Sequence, residues 1–527
     1  MAESSIRRGS LLIVAAVLIV VAGASARWSA GTDESSQQPP SPQMPQSALY
    51  NIIPPAPALF KPEEGLLRWP LPAGEERYAA IDGKHMHHYV VEQAMISRRY
   101  RDQGHPLYWG RPIGSSADAE SARWLEDKFT KAGLIDVNVQ ELPIPDPVWE
   151  PVQPWDVTAT SGSRTLRLTT AHPPYQAVAA PAGGLDLEAV YVGMGSEAEF
   201  AGKDVRGKAV VIYSVPFPGG TRQTAQSERV YQRAIAKGAA AMLAIFALPG
   251  NFRTQPYPVA GGIPTFALGM EEGYRLRDEL FGSGQPVRIK INFQIRMVPG
   301  QHTANVWGSL PGATDETIYL IAHRDGWFDA AGDNASGVAS LIQLAEYYAK
   351  IPRVQRRRTM IFIGVSGHHG PNMSAQDLTR RKEALFSKTA LFINCEHTST
   401  LLSQVSWQSI RWSNAYTPQF WYAGGPSRPK LQEIAIKAFR RFGVTTYNEP
   451  ERTPPPGDLT SYSRFVPALT TSDFYEYFHS DGETPDIVPY TGLEATTRAY
   501  AKIIDEVNTL PLSDLQRPEE PQPTGRP

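Results

Sequence analysis

An imidazole and two carboxylates, His323, Asp325 and Asp333, fall in the neighbouring phrases His323-Arg324-Asp325-Gly326-Trp327 and Asp333-Asn334-Ala335-Ser336-Gly337. Imidazole nitrogens and carboxylate oxygens are the donors that hold zinc, so the chemistry they suggest is that of a metal site. A plainer use also exists for the second phrase, in which Asp333 or Asn334 only caps a helix.

The elements around these residues give them a place. Ile318 to Ala322 is an apolar run that reads as a buried strand, and from Ser336 to Tyr348 apolar residues recur at helical spacing. The carboxylates therefore lie in a strand-to-helix loop, at the strand's carboxyl end, where open α/β sheets bind their ligands. Two more apolar runs end the same way: Thr359 to Val365 leads into Ser366-Gly367-His368-His369-Gly370, and Ala390 to Asn394 into Cys395-Glu396-His397. Tyr475 to Phe478 leads to His479, in the phrase His479-Ser480-Asp481-Gly482-Glu483. A lone histidine is more often a surface or core residue than a ligand, but strand-end groups in register point to one shared crevice.

In this order the motifs resemble the co-catalytic zinc exopeptidases, the family that includes bacterial aminopeptidases, glutamate carboxypeptidase and the transferrin receptor, over roughly residues 76 to 510. The His323–Trp327 phrase is most similar to the carboxypeptidase and transferrin-receptor branch. The resemblance implies an α/β fold whose mixed, mostly parallel sheet is sandwiched by helices. It also implies a hydrolase with one or two zinc ions per chain. By position, His323 becomes a metal ligand, Asp333 the bridging carboxylate and Asp325 the group that orients His323. Glu396 stands where the family has an aspartate ligand, and His479 matches its last histidine ligand.

The departure from the pattern is His368-His369, where the family carries two glutamates, the first a general base and the second a ligand. His369 can keep the ligand role, because imidazole binds zinc; the implied metal set is then His323, Asp333, His369, Glu396 and His479. Exchanging an anionic for a neutral ligand between cations about 3.5–4 Å apart weakens one site, so one ion and two ions are both open. His368 has three readings: a replacement base, with an unperturbed pKa of about 6.5 suited to neutral pH; an additional metal ligand; or a residue of a site that has lost hydrolysis. Every implied ligand position still holds a metal-binding residue, which favours an enzyme. The expected function is an exopeptidase, acting from either chain end on a peptide or amide substrate. The alternatives are a non-catalytic binding or receptor-like protein on the same fold, and a hydrolase of non-peptide amides.

Composition and order frame these readings. At 527 residues the chain has room for two folded domains, and its net charge of −2 without a long basic stripe argues against a nucleic-acid partner. Arg356-Arg357-Arg358 is the exception, expected as a solvated turn. Residues 1–26 carry Arg7 and Arg8, an apolar run from Leu11 to Ala22, and Ala24-Ser25-Ala26, the order of a signal peptide or a retained membrane anchor. That predicts export to a periplasmic or other extracytoplasmic place, with inner-membrane anchoring if the segment stays. The single cysteine, Cys395, excludes an intrachain disulfide and reads as a small buried apolar residue.

The domain boundaries follow: a Pro-rich linker at 27–75, a first catalytic part at 76–150, an insertion at 151–300, a second catalytic part at 301–510 and a disordered tail at 511–527. The insertion, with short strands at 187–193, 209–213 and 241–245 and a helix from Val230 to Lys237, resembles the protease-associated domain. It is expected to border the crevice. Arg222, Arg229 and Arg253 are expected as solvated surface rather than carboxylate binders. The cluster His85-Met86-His87-His88 lacks partners at ligand spacing, and the default oligomeric state is a monomer.

Overall fold

The apolar runs do become adjacent strands. The protein is described here by a computed structural model, which covers residues 70–516 apart from 216–223, 228, 257–261, 407–408, 417–418, 423–427, 445, 449–454, 456 and 473–474. The expected leader or anchor at 1–26, nearly all of the linker and the tail from 517 onward lie outside the described residues. All described residues fall in one compact unit, Leu49–Pro527.

An eight-stranded mixed sheet forms the frame, in the order Ile135–Pro143, His302–Leu310, Thr359–Val365, Thr317–His323, Thr389–Asn394, Ala468–Ser472, Gln419–Tyr422, Thr446–Asn448. Its middle four strands are mutually parallel. A parallel strand is covered on both faces, which is why these runs are continuously apolar. Along Thr317–His323 the side chains alternate: Ile318, Leu320 and Ala322 join Val338, Leu341 and Ile504 on one face, while Tyr319 and Ile321 meet Leu378, Phe386 and Tyr462 on the other. Each such aliphatic side chain contributes roughly 1.5–3 kcal/mol by leaving water.

Helices Gly83–Asp102, Ser116–Ala132, Gly337–Ala349 and Tyr490–Asn508 cover the first face. Ser116–Ala132 is the helix the amphipathic pattern requires. It opens where the Ser115 hydroxyl accepts the Asp118 N–H at 3.1 Å, and it stops at Gly133, whose φ of 88° is left-handed.

One sequence expectation is corrected here. Arg356 and Arg358 are not a solvated turn: both are buried, Arg358 completely. Arg358 donates to the Val507 and Leu510 carbonyls at 2.6 and 2.7 Å, and Arg357 to the Asn508 carbonyl at 3.2 Å. The last carbonyls of a helix lack partners within it, and the forked donors of arginine supply them. The 85–88 histidines lie inside the first long helix and diverge: His85 meets Glu346 at 2.9 Å, His87 the Pro485 carbonyl at 2.9 Å and His88 Glu92 at 3.1 Å.

The insertion builds its own seven-stranded sheet, ordered Arg164–Arg167, Asp156–Ser161, Val287–Asn292, Leu185–Tyr191, Ala209–Ser214, Ala241–Phe246, Thr265–Leu268. The chain enters and leaves it through a two-stranded ribbon, Val148–Pro151 against Ile295–Val298, with Glu150 opposite Arg296. A second attachment lies beside the crevice. There the Gln255 N–H donates to the His479 carbonyl at 2.8 Å, Thr254 bridges Ser480, and Arg253 pairs with Asp481 at 3.3 Å. Arg253 is thus an interdomain contact rather than solvated surface; Arg222 lies outside the described residues. Among the described residues no helix is long and apolar enough to cross a membrane.

Candidate metal centre

The parallel strands Thr359–Val365, Thr317–His323, Thr389–Asn394 and Ala468–Ser472 run side by side, so the loops that follow their carboxyl ends converge. At the point of convergence stands Asp333. One of its oxygens, Oδ1, is faced by His323 Nε2 at 2.9 Å and His397 Nε2 at 3.1 Å. The other, Oδ2, is faced by His479 Nε2 at 2.9 Å and His369 Nε2 at 3.1 Å. All five side chains are buried. Burial alone would raise the Asp333 carboxyl, but the His369, His397 and His323 rings hold it well below the usual carboxylate range.

Several of these atoms lie close together without making a well-aligned hydrogen bond. His323 Nε2, Asp333 Oδ1 and both ring nitrogens of His369 are buried without a hydrogen bond. Leaving such groups unpaired is costly unless something else occupies their lone pairs. Ligand atoms of His323, Asp333, His368 and His369 lie within 4.8 Å of one another. The donor set of imidazoles and a carboxylate fits zinc.

Surrounding groups hold the loops. The Asp325 carboxylate accepts three main-chain N–H groups in succession, from Gly367 at 3.0 Å, His368 at 3.4 Å and His369 at 2.9 Å. His323 Nδ1 lies nearer the Asp325 carbonyl, at 3.2 Å, than its carboxylate, at 3.7 Å. Asp325 therefore orients the histidine pair more than it orients His323. Asn334 donates to the Cys395 carbonyl at 2.9 Å and accepts the His397 N–H at 3.1 Å, so it ties two loops together instead of capping a helix. The Glu483 carboxylate accepts the Asp333 and His479 N–H groups at 2.7 and 2.8 Å and the Tyr475 hydroxyl at 2.6 Å. Burial and the nearby Asp333 charge push it up to about 8.

Beside Glu396, the ligand expected at this strand end, the structure brings a second donor to Asp333. The Glu396 carboxylate accepts the Asn394 amide and, at 3.3 Å, the Asp458 N–H, and packs against Gly457, where a Cβ would collide with it. The next residue, His397, reaches Asp333 from a left-handed backbone with φ of 45°. Cys395 is buried, as expected, and burial pushes its thiol above the usual range.

His368 lies beside the centre, its ring stacked on that of His323 with centroids 4.1 Å apart and planes within 8°. Its Nδ1 is 2.9 Å from Asp458 Oδ1. Burial would lower its pKa, but the Asp458 carboxylate overrides that and raises it well above the usual histidine value. Burial also pushes His479 down to about 3 and lowers His369, so both are neutral, the form that binds metal. Three contributors went unread in the sequence: His397, Glu483 and Asp458. The first two stand inside phrases already singled out, whereas Asp458, in the segment Gly457–Ser461, carries no local signal.

Residues 305–504 match the model of peptidase family M28. That span belongs to peptidase family M28. Its resemblance to the co-catalytic zinc exopeptidases is thereby met, and the M28 segment contains the whole cluster around Asp333. The chain matches none of the curated proteins. Among solved structures it is similar to a zinc aminopeptidase from Bacillus subtilis, at 16% identity and a TM-score of 0.57 over 82% of this chain and 98% of that one. A Peptidase M28 precursor from Shewanella amazonensis matches at 15% identity and a TM-score of 0.59, over 82% and 95%. An aminopeptidase from Aneurinibacillus sp. matches at 17% identity and a TM-score of 0.51, over 85% and 97%. At these identities the likeness is one of fold, and it extends beyond the M28 segment.

Proposed function

We propose that the protein is an exported zinc-dependent exopeptidase that removes the amino-terminal residue from a peptide. The observation that carries this reading is Asp333, a buried carboxylate with two imidazoles facing each of its oxygens. His323, His397 and Asp333 Oδ1 form one ligand group, and His369, His479 and Asp333 Oδ2 the other. Zinc held there supplies a Lewis acid for the scissile carbonyl and makes water easier to deprotonate. The aminopeptidase direction rests on the names of the similar structures, and export on Arg7, Arg8 and the apolar run to Ala22. The insertion is read as a protease-associated module.

His368 is the base. In its neutral form, which the Asp458 carboxylate confines to pH above the usual histidine range, Nδ1 donates to Asp458 and the Nε2 lone pair accepts a proton from water and returns it to the leaving amine nitrogen. Asp458 fixes the tautomer and orientation, the part a carboxylate plays behind a catalytic histidine in hydrolytic triads.

The test is hydrolysis of aminoacyl reporter substrates by the zinc-loaded protein, with His368→Ala expected to lower kcat by about 10²–10⁴-fold. In Asp458→Asn the acid limb of kcat/KM moves to lower pH, because the carboxylate that raises the His368 pKa is gone. Unchanged turnover in His368→Ala would remove it as the base. Zinc binding with no turnover of any peptide or amide would leave the binding-protein reading.

A further inference from the structure

We infer that the cleft beside the M28 centre selects a substrate with an aromatic side chain, and that the insertion supplies the selecting wall; this rests on the exopeptidase reading. The cleft has a volume of about 290 Å³, and His369 is among the residues that line it. That is at the small end of ligand clefts, which usually span about 300–1,000 Å³, so it fits one residue rather than an extended peptide.

Its wall is a chain of rings. Trp327 packs on His369 with centroids 4.3 Å apart and also contacts His479 at 4.7 Å, so it adjoins the centre directly. Tyr175 lies 6.1 Å from Trp327, Trp149 lies 5.5 Å from Tyr175 at 79°, and Tyr108 lies 5.7 Å from Trp149 at 81°. Tyr175 and Trp149 belong to the insertion and its entry ribbon; Trp327 and Tyr108 belong to the catalytic body. Two of these contacts are near-perpendicular and Tyr175 meets Trp327 at 48°, so the wall offers both electron-rich faces and positive edges, and a further ring extends such an array favourably.

Charge argues the same way. Among the described residues, the only carboxylate and guanidinium lining the cleft are those of Glu150 and Arg296. They bind each other in bidentate fashion at 2.9 and 3.0 Å. An acidic or basic substrate side chain meets a pair whose charges already offset each other, whereas an aromatic one needs no charged partner.

The experiment uses the full-length zinc-loaded protein and 4-nitroanilides of Phe, Tyr, Leu, Ala, Lys and Glu, together with calorimetric binding of phenylalanine amide and alanine amide. Phe and Tyr are expected to exceed Ala in kcat/KM by roughly tenfold or more, the range a well-filled apolar pocket provides. Tyr175→Leu is expected to narrow that ratio. Trp149→Phe is the second variant should the first not fold, with a thermal melt on each. Turnover of Ala equal to Phe, or a preference for Lys or Glu, overturns the selectivity and leaves the peptidase reading standing. Tighter binding of the phenylalanine amide without any turnover supports the cleft and overturns the peptidase reading. Neither turnover nor a binding preference overturns both.

Discussion

Asp333 is the sole carboxylate among the five side chains that converge on the centre, and four imidazoles complete it. Such a set carries little negative charge, so the carboxylate is the part that cannot be spared. Asp333→Asn is expected to abolish metal binding, read by elemental mass spectrometry after zinc reconstitution. The same measurement separates Glu396 from His397. His397→Ala should lose about one ion per chain, while Glu396→Gln should weaken affinity no more than about 10–100-fold, the usual cost of altering a group behind the ligands. The reverse result would restore Glu396 as the ligand. The sequence singled out Glu396 at this strand end and left the neighbouring His397 unread. Beyond Asn394 the strand's alternation has ended, and the left-handed turn at His397 that sets which side chain points inward leaves no periodic trace.

At the scale of elements, the frame was legible wherever burial imposes a pattern. The strands Thr317–His323 and Thr359–Val365 and the helix Ser116–Ala132 fall within a residue or two of where their apolar spacing predicts. What fastens them together was not, because polar anchors are single residues with distant partners. Arg324, in the phrase read for its neighbours, is such an anchor: its guanidinium is buried on Asp118 of the helix and also bonds Ser121 and the Ala304 carbonyl, the latter at 2.6 Å. Asp118→Ala leaves that cation buried and unpaired, a loss expected to cost about 3–5 kcal/mol. Thermal or denaturant unfolding would show it, and a change below about 1 kcal/mol would mean the pair is merely tolerated. Arg111 does comparable work from its strand, donating to the Arg324 and Asp329 carbonyls at 2.8 and 2.9 Å.

Across the whole molecule the insertion and the body share a buried aromatic cluster, and His172 lies in it between Tyr108, Trp155 and Phe328. Burial pushes His172 down to about 3, so the folded protein keeps it neutral while an unfolded chain protonates it below about 6.5. Stability from this group is therefore intact above about pH 6.5 and declines as pH falls toward 3. Between pH 6.5 and 5 the decline is about 2 kcal/mol. His172→Gln should flatten that part of the stability curve relative to the parent protein, as measured by urea unfolding at several pH values. An equal slope in both would place the acid sensitivity elsewhere. The insertion's other hold on the body, where Gln255 and Arg253 pair with the stretch from His479 to Asp481, bears on how the protein can be dissected. A module bounded at residues 151 and 300 looks like a cassette that could be excised or exchanged. Removing it would cut the main-chain splint of the loop that carries His479, so a trimmed protein would have to re-create that splint before it could be compared with its parent.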